Sequence, residues 1–449
     1  MKEGKITLRN IALASHAGAG KTSLAEAILY LTGVTDRVGK VEEGNTLSDY
    51  DPEEIRRRTS ISLSLLPFSV DNVRVNLLDL PGFDDFVGEI KGGLKVADGL
   101  ILLISGVSGV EVGTEKVWGY AQEFGLPVFF FVNKIEREGA TYFKSLEELR
   151  NIFGPSVIPL VVPKGEGNNL SGVVDLLTWE LSDVPKGKDE KNSPAPEALK
   201  EEYKKWRELL VERLAELNDE LLSKYLEGEE LELSELKTAI EKGIKERRVS
   251  PVLAGSAFNL AGVKRLLGYM KDFPEADKKE MPILDSVTGE KKLLTVSLDK
   301  PLSVFVFKTM ADPYVGQLNF LKVHTGRLTP DTILLNSSKG KEEKISQLYR
   351  LRGKNQSVIE EAVAGDIAVV AKLQDTTTND TLCDKGKPVL FEPISYPPPM
   401  VTVAVQPKSK GDEDKLSGAL QKVAISDPTI NIERDPHSNQ VLVTGMGGG

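Results

Sequence analysis

The sequence predicts a multidomain α/β protein: a parallel-sheet domain first, a small β-barrel next and a short α+β region last. Three observations carry that prediction. From Lys5 to about Pro155, short apolar runs alternate with helical-looking polar stretches, the pattern of a parallel sheet crossed by helices. From Lys291 to Leu390, short strand-like runs follow one another across Gly and Asp turns with little helical periodicity, the pattern of a small barrel. The length of 449 residues leaves room for about three domains at roughly 150 residues each.

Taken in order, Ile6–Ala14, Val73–Leu78, Gly99–Ile104 and Pro127–Val132 are the expected strands of the first sheet. A strand-like Val157–Val162 leads into the charged stretch Lys186–Pro196. Beyond it Tyr203, Trp206, Leu210, Leu214, Leu217 and Leu221 recur at steps of three and four. That stripe is one face of an amphipathic helix, expected to pack on its own domain. The strand Val252–Ala254 and a helical segment through Tyr269 follow, and the charged linker Glu275–Glu280 is expected to close the unit. The barrel region turns at Asp312-Pro313, His324-Thr325-Gly326 and Ala364-Gly365-Asp366. After Pro397-Pro398-Pro399 come an expected strand (Met400–Val405), a helix (Glu413–Ile425) and two strands (Thr429–Glu433 and Gln440–Val443). No self-similarity at repeat length points to a solenoid.

Composition narrows the function. The chain is 40% hydrophobic and 28% charged, with 57 basic against 67 acidic side chains and a net charge of −10. This is the balance of a packed chain, not of a low-complexity tail. It argues against indiscriminate nucleic-acid binding and gives no reason to expect sequence-specific DNA recognition. Local basic stretches at Arg56–Arg58 and Lys344–Lys354 are candidate contact patches or plain solvated faces. A single cysteine, Cys383, excludes a disulfide framework. His16, His324 and His437 form no local zinc-type cluster, so a metal is expected to use oxygen ligands. The longest apolar runs, such as Leu100–Ile104 and Val128–Val132, fall far short of the roughly 20 residues that span a bilayer. No membrane partner is expected, and a monomeric, cytoplasmic protein is the default reading.

Four motifs carry chemistry. After the first strand comes Ser15-His16-Ala17-Gly18-Ala19-Gly20-Lys21-Thr22-Ser23, with the G-x-x-x-x-G-K-[ST] layout except that Ser15 replaces the first glycine. Backbone N–H groups from Gly18 to Lys21 would wrap a phosphate at a helix N-terminus, Lys21 would neutralise phosphate oxygens and the Thr22 hydroxyl would ligate magnesium. Asp79-Leu80-Pro81-Gly82 closes a strand with a carboxylate near that metal and a glycine N–H able to sense a γ-phosphate. Asn133-Lys134-Ile135-Glu136 follows another strand and resembles the guanine-reading N-K-x-D, with Glu136 in place of aspartate. A carboxylate there accepts from guanine N1 and N2 hydrogens and would be left unpaired by adenine. Gly255-Ser256-Ala257-Phe258 follows a fourth strand and could present an N–H and a hydroxyl beside guanine O6. Four such motifs in this order on four strand ends predict a P-loop GTPase domain that binds GTP and GDP with Mg2+.

On these residues the chain resembles the elongation factor G family of translational GTPases, and most of all its divergent elongation-factor-G-like branch. Further support comes from Asp49-Tyr50 through Arg57-Arg58-Thr59-Ser60-Ile61, Gly172-Val173-Val174-Asp175-Leu176, Pro301–Phe307, Gly316–Gly326 and Gly445-Met446-Gly447. The resemblance implies a GTPase domain over 1–167 and 250–278, an inserted α+β subdomain over 168–249, a β-barrel second domain over 279–393 and a partial ferredoxin-like third domain over 394–449. Set against the family, the third domain is expected to be incomplete and the last two domains to be missing. The resemblance also implies the ribosome, through its RNA and proteins, as partner, and a role in elongation or translocation. The alternatives are a GTP-gated ribosome-binding module with negligible hydrolysis, or a ribosome-recycling GTPase.

Family roles then fall on particular residues. The first switch supplies a magnesium-binding hydroxyl, carried to Ser60 with Thr59 as rival. With Lys21, Asp79 and Gly82, Ser60 completes the expected catalytic set, and Thr22, Ser60 and Asp79 form the expected metal shell. Where the family has a water-orienting histidine after Gly82, this chain has Phe83, which cannot hydrogen-bond water. His16 is read as a loop side chain, not a substitute base.

Overall fold

The computed structural model describes residues 6–82, 84–273, 280–286, 288–312, 315–407 and 409–447. Met1–Lys5, Phe83, the linker residues 275–279, Pro313 of an expected turn and Gly448-Gly449 lie outside the described residues. The chain forms two units, one comprising residues to Ser60, 64–82 and 97–277, the other 61–63, 83–96 and the remainder from Lys278.

In chain order the elements begin with β1 (Thr7–Ser15), α1 (Lys21–Leu31), α2 (Pro52–Arg57), β2 (Ser64–Val70) and β3 (Val73–Asp79). Next come α3 (Val87–Val96), which belongs to the second unit, β4 (Gly99–Ser105), α4 (Val112–Glu123), β5 (Val128–Asn133), α5 (Tyr142–Phe153) and β6 (Val157–Lys164). Three short strands follow, β7 (Gly172–Asp175), β8 (Glu180–Asp183) and β9 (Asn192–Pro194), then helices α6 (Glu197–Ala215), α7 (Asp219–Leu226) and α8 (Leu233–Lys245), strand β10 (Ser250–Ala254) and helix α9 (Val263–Lys271).

The first unit is built on one sheet in the order β2-β3-β1-β4-β5-β10-β6-β7-β8-β9. Strands β3, β1, β4, β5, β10 and β6 run parallel, whereas β2 and the β7–β9 meander are antiparallel additions at the two edges. Leu100–Ile104 and Phe130–Val132 are fully buried, which explains why these strands read as unbroken apolar runs. In register, Leu13 pairs Asp79, Ser105 pairs Asn133 and Ala254 pairs Val132, so the C-terminal ends of β1, β3, β4, β5 and β10 reach one edge. Open α/β sheets bind ligands at that edge.

The apolar stripe from Tyr203 to Leu221 divides between two helices where one was expected. Asn218 caps α7 by accepting from the Glu220 and Leu221 N–H groups at 2.8 and 3.2 Å, and Leu217 falls in the intervening turn. The stripe packs on its own unit, as expected: Tyr203 Oη donates to the Pro163 carbonyl at 2.8 Å and Trp206 stacks on Phe143 at 4.9 Å.

In the second unit β11 (Glu280–Leu284) pairs with β12 (Lys291–Thr295), so Glu280 begins a strand and does not end a linker. Next, β13 (Ser303–Asp312) and β14 (Gly316–Thr325) lie at the centre of an eight-stranded antiparallel sheet around a core that includes Val304, Val306, Leu321, Val323, Leu348, Val370 and Leu382. Lys308 Nζ, 4% exposed, donates to the Leu63 carbonyl at 2.8 Å, to Glu89 Oε2 of α3 at 2.8 Å and to the Ser62 hydroxyl. At the end of the chain Val401–Val405, α10 (Glu413–Ser426), Asn431–Arg434 and Val441–Gly445 form a three-stranded antiparallel sheet with one helix. The last two strands thus start later than the sequence pattern suggested. No helix among the described residues is long and apolar enough to cross a membrane.

Candidate nucleotide site

The phosphate loop leaves the end of β1 and enters α1 through two left-handed glycines, Gly18 (φ 79°) and Gly20 (φ 92°). A Cβ on Gly20 would lie 2.6 Å from Asn133 Nδ2, so both backbone conformation and space exclude a side chain there. Gly82 also comes close, since a Cβ on it would lie 3.4 Å from Ala17 Cα. Ala17 and Ser23 are partly exposed, whereas Ser15, Ala19, Lys21 and Thr22 are buried.

Lys21 Nζ donates to Asp79 Oδ1 at 2.6 Å, with both side chains buried. The Ser48 hydroxyl donates to the other Asp79 oxygen. Thr22 Oγ1 lies 3.2 Å from Ser60 Oγ and donates to Asp49 Oδ2 at 3.3 Å, and Ser60 Oγ donates to Asp49 Oδ1 at 2.6 Å. The loop between α1 and β2 thus folds so that hydroxyls and carboxylates from α1, β3 and residues 48–60 converge. Ser60 is brought to Thr22, while its rival Thr59 donates to the Arg57 carbonyl at 3.3 Å. Burial, followed by the nearby Asp79 charge, pushes the Asp49 carboxyl above its ordinary range.

His16 is buried in the loop. Its Nδ1 lies 2.9 Å from the Ala17 carbonyl and 3.3 Å from Glu111 Oε1, and its Nε2 accepts from the Ser105 N–H at 3.4 Å. These partners assign the proton to Nδ1 and occupy both ring nitrogens.

The base end is assembled from β5 and the turn after β10. Asn133 spans the two loops: Nδ2 donates to the Ala19 carbonyl at 2.9 Å and Oδ1 accepts from the Ala257 N–H at 2.9 Å. Its amide thereby ties the phosphate loop to the Ser256 turn. Lys134, left-handed at φ 64°, donates to the Gly18 carbonyl at 2.5 Å, and its partial burial lowers its pKa. Ser256 Oγ accepts from the Asn259 N–H at 3.2 Å, bracing its own turn, and Phe258 is 85% exposed beside it. Glu136 is 15% exposed, and its Oε2 is buried with no hydrogen-bond partner. Its other oxygen lies 3.9 Å from Arg137 Nε. A buried carboxylate oxygen left without a partner is costly and needs an explanation.

This geometry suits a guanine nucleotide with magnesium. Glu136 keeps an unsatisfied acceptor oxygen, Gly20 has no room for a side chain, and Thr22, Ser60 and Asp79 are hard oxygen donors of the kind magnesium prefers. The parts played by Ser48 and Asp49 have no signature in the sequence beyond Asp49-Tyr50, which marked the segment.

Fold and site together define a P-loop nucleotide-binding protein. Residues 6–276 match the family model for the elongation factor Tu GTP binding domain, 301–385 that for elongation factor G domain 2, and 396–448 that for elongation factor G domain III. The chain belongs to the elongation factor G family of translational GTPases. It is also similar to a crystal structure from Thermus thermophilus, with 34% identity and a TM-score of 0.86 over 98% of this chain. This chain spans 64% of the length of that one.

Proposed function

We propose that this protein binds GTP and GDP with Mg2+, hydrolyses GTP slowly by itself, and couples its nucleotide state to ribosome binding in elongation or translocation. The observation that carries the reading is the orphaned Glu136 Oε2 on the same sheet edge as Lys21, Thr22, Ser60 and Asp79. Gly18–Ser23 cradle the phosphates, and Lys21 exchanges Asp79 for phosphate oxygens. Glu136 reads the base, while Asn133, Lys134, Ser256, Ala257 and Phe258 form and border its slot. Thr22, Ser60 and Asp79 hold magnesium, which supplies neutralisation of charge on the phosphate oxygens. Ser60 and Gly82 respond to the γ-phosphate, and its loss releases both segments, an order–disorder switch. The protein acts in the cytoplasm as a monomer, with ribosomal RNA and proteins as partners.

A second reading rests on Phe83. Lacking a hydrogen-bonding atom, it cannot orient the attacking water, and a GTP-gated ribosome-binding module with negligible hydrolysis follows. The loss of one such positioning group costs about 10²-fold or more in rate. Comparing GTP turnover with and without ribosomes separates the readings, since stimulated turnover supports the enzyme and bound but unconsumed GTP supports the module.

A further inference from the structure

Glu26 lies one helical turn beyond Thr22 on α1, 1% exposed, and its carboxylate is held entirely by the loop that follows the helix. Oε1 accepts from the Leu47 N–H at 2.7 Å and Oε2 from the Gly39 N–H at 3.2 Å. Among the described residues no lysine or arginine pairs with it. Gly39 is where the loop comes closest: a Cβ there would collide with Glu26 Oε2 and lie 3.1 Å from Thr46 Cα. A buried carboxylate without a cation is costly to keep, and apolar packing would hold a helix more cheaply.

The two gripped points bracket the turn at Val41–Glu43, and the chain leaves the second of them directly into Ser48 and Asp49. Ser48 donates to Asp79, and Asp49 takes the hydroxyls of Ser60 and Thr22. The same helix face therefore carries Thr22 and, four residues on, the group that fixes where the Ser60 segment begins. We infer that Glu26 is a positioning residue: by clamping Gly39 and Leu47 to α1, it sets the Ser60 hydroxyl against Thr22 and Asp49, and so governs the magnesium-dependent part of nucleotide binding. This rests on the function proposed above and adds the element that holds its first switch.

The test uses the full chain and Glu26→Gln, which keeps the shape but cannot accept at both oxygens, with Gly39→Ala disturbing the same contact from the loop side. GDP affinity is measured in chelator and in saturating Mg2+, and limited trypsin digestion reports cleavage at exposed Arg56–Arg58. Both variants are expected to bind GDP as the parent does without Mg2+, to lose about tenfold of the Mg2+-dependent gain, and to be cut several-fold faster at Arg56–Arg58. Unchanged Mg2+ dependence with unchanged cleavage would overturn the inference. So would an equal loss of affinity with and without Mg2+, the mark of a merely structural role in α1. Should the parent itself show no Mg2+-dependent GDP binding, the proposed function fails, and the cleavage rates still decide whether Glu26 holds the loop.

Discussion

Removing the Glu136 carboxylate should weaken guanine binding while strengthening the ligand-free fold, two opposite effects from one substitution. Oε2 is buried and makes no hydrogen bond, and the nearest cation, Arg137, stands 3.9 Å from the other oxygen. Leaving such a group unsatisfied costs about 1–3 kcal/mol in the ligand-free protein. A hydrogen bond from a ligand to a charged group returns about 1.5–3 kcal/mol, or roughly 10- to 150-fold in affinity. Glu136→Ala is therefore expected to raise the unfolding midpoint without nucleotide and to lower GDP affinity by at least about tenfold. Titration calorimetry with GDP and IDP, which lacks the 2-amino group, isolates the contact. The parent protein should prefer GDP, and the variant should bind the two equally. Refutation would come from a variant that keeps the parent's GDP affinity, or that loses GDP and IDP affinity equally while still preferring GDP.

Three further outcomes are expected. Lys308→Ala removes one partner of a buried ion pair and leaves Glu89 uncompensated, a loss of about 3–5 kcal/mol that denaturant unfolding measures, and Lys308→Met combined with Glu89→Leu should restore most of it; equal loss in both variants would contradict this. Burial holds the Glu26 carboxyl above its ordinary value of 4.5, so the folded state binds that proton more tightly than the unfolded chain. Its stabilising contribution is complete below 4.5 and is lost as pH rises through the raised folded value. The stability of Glu26→Gln relative to the parent should improve across that window, and parallel pH profiles from denaturant titrations would contradict the assignment. Finally, Phe83→His should raise single-turnover GTP hydrolysis by about 10²-fold if a water-orienting group is what the parent lacks; an unchanged rate would mean another group orients the water.

Much of the candidate site was legible because the proposed phosphate and base recognition calls for fixed residue types at strand ends. Gly20 must be glycine, Lys21 and Thr22 must open a helix, and Asp79, Asn133 and Glu136 each close or follow an apolar strand. What escaped is held by contacts with no local signature. Glu26 sits unremarked in an apolar helix, and only the folded loop shows that it grips Gly39 and Leu47. Lys308 and Glu89 are 219 positions apart, a separation no periodicity reports. The break at Asn218 was hidden because the apolar spacing continues across it and only the cap marks the new helix. Strands β7–β9 are only three or four residues long, too short for the apolar runs that marked the sheet's centre, even though β7 is buried throughout.

Phosphate release from GTP under single-turnover conditions, with and without excess intact ribosomes and with ATP as the control nucleotide, decides whether this protein is a ribosome-stimulated GTPase. Release from GTP should be slow without ribosomes and clearly faster with them, and ATP should give none. Equal release from ATP, or GTP that binds yet is not hydrolysed when ribosomes are added, would contradict this.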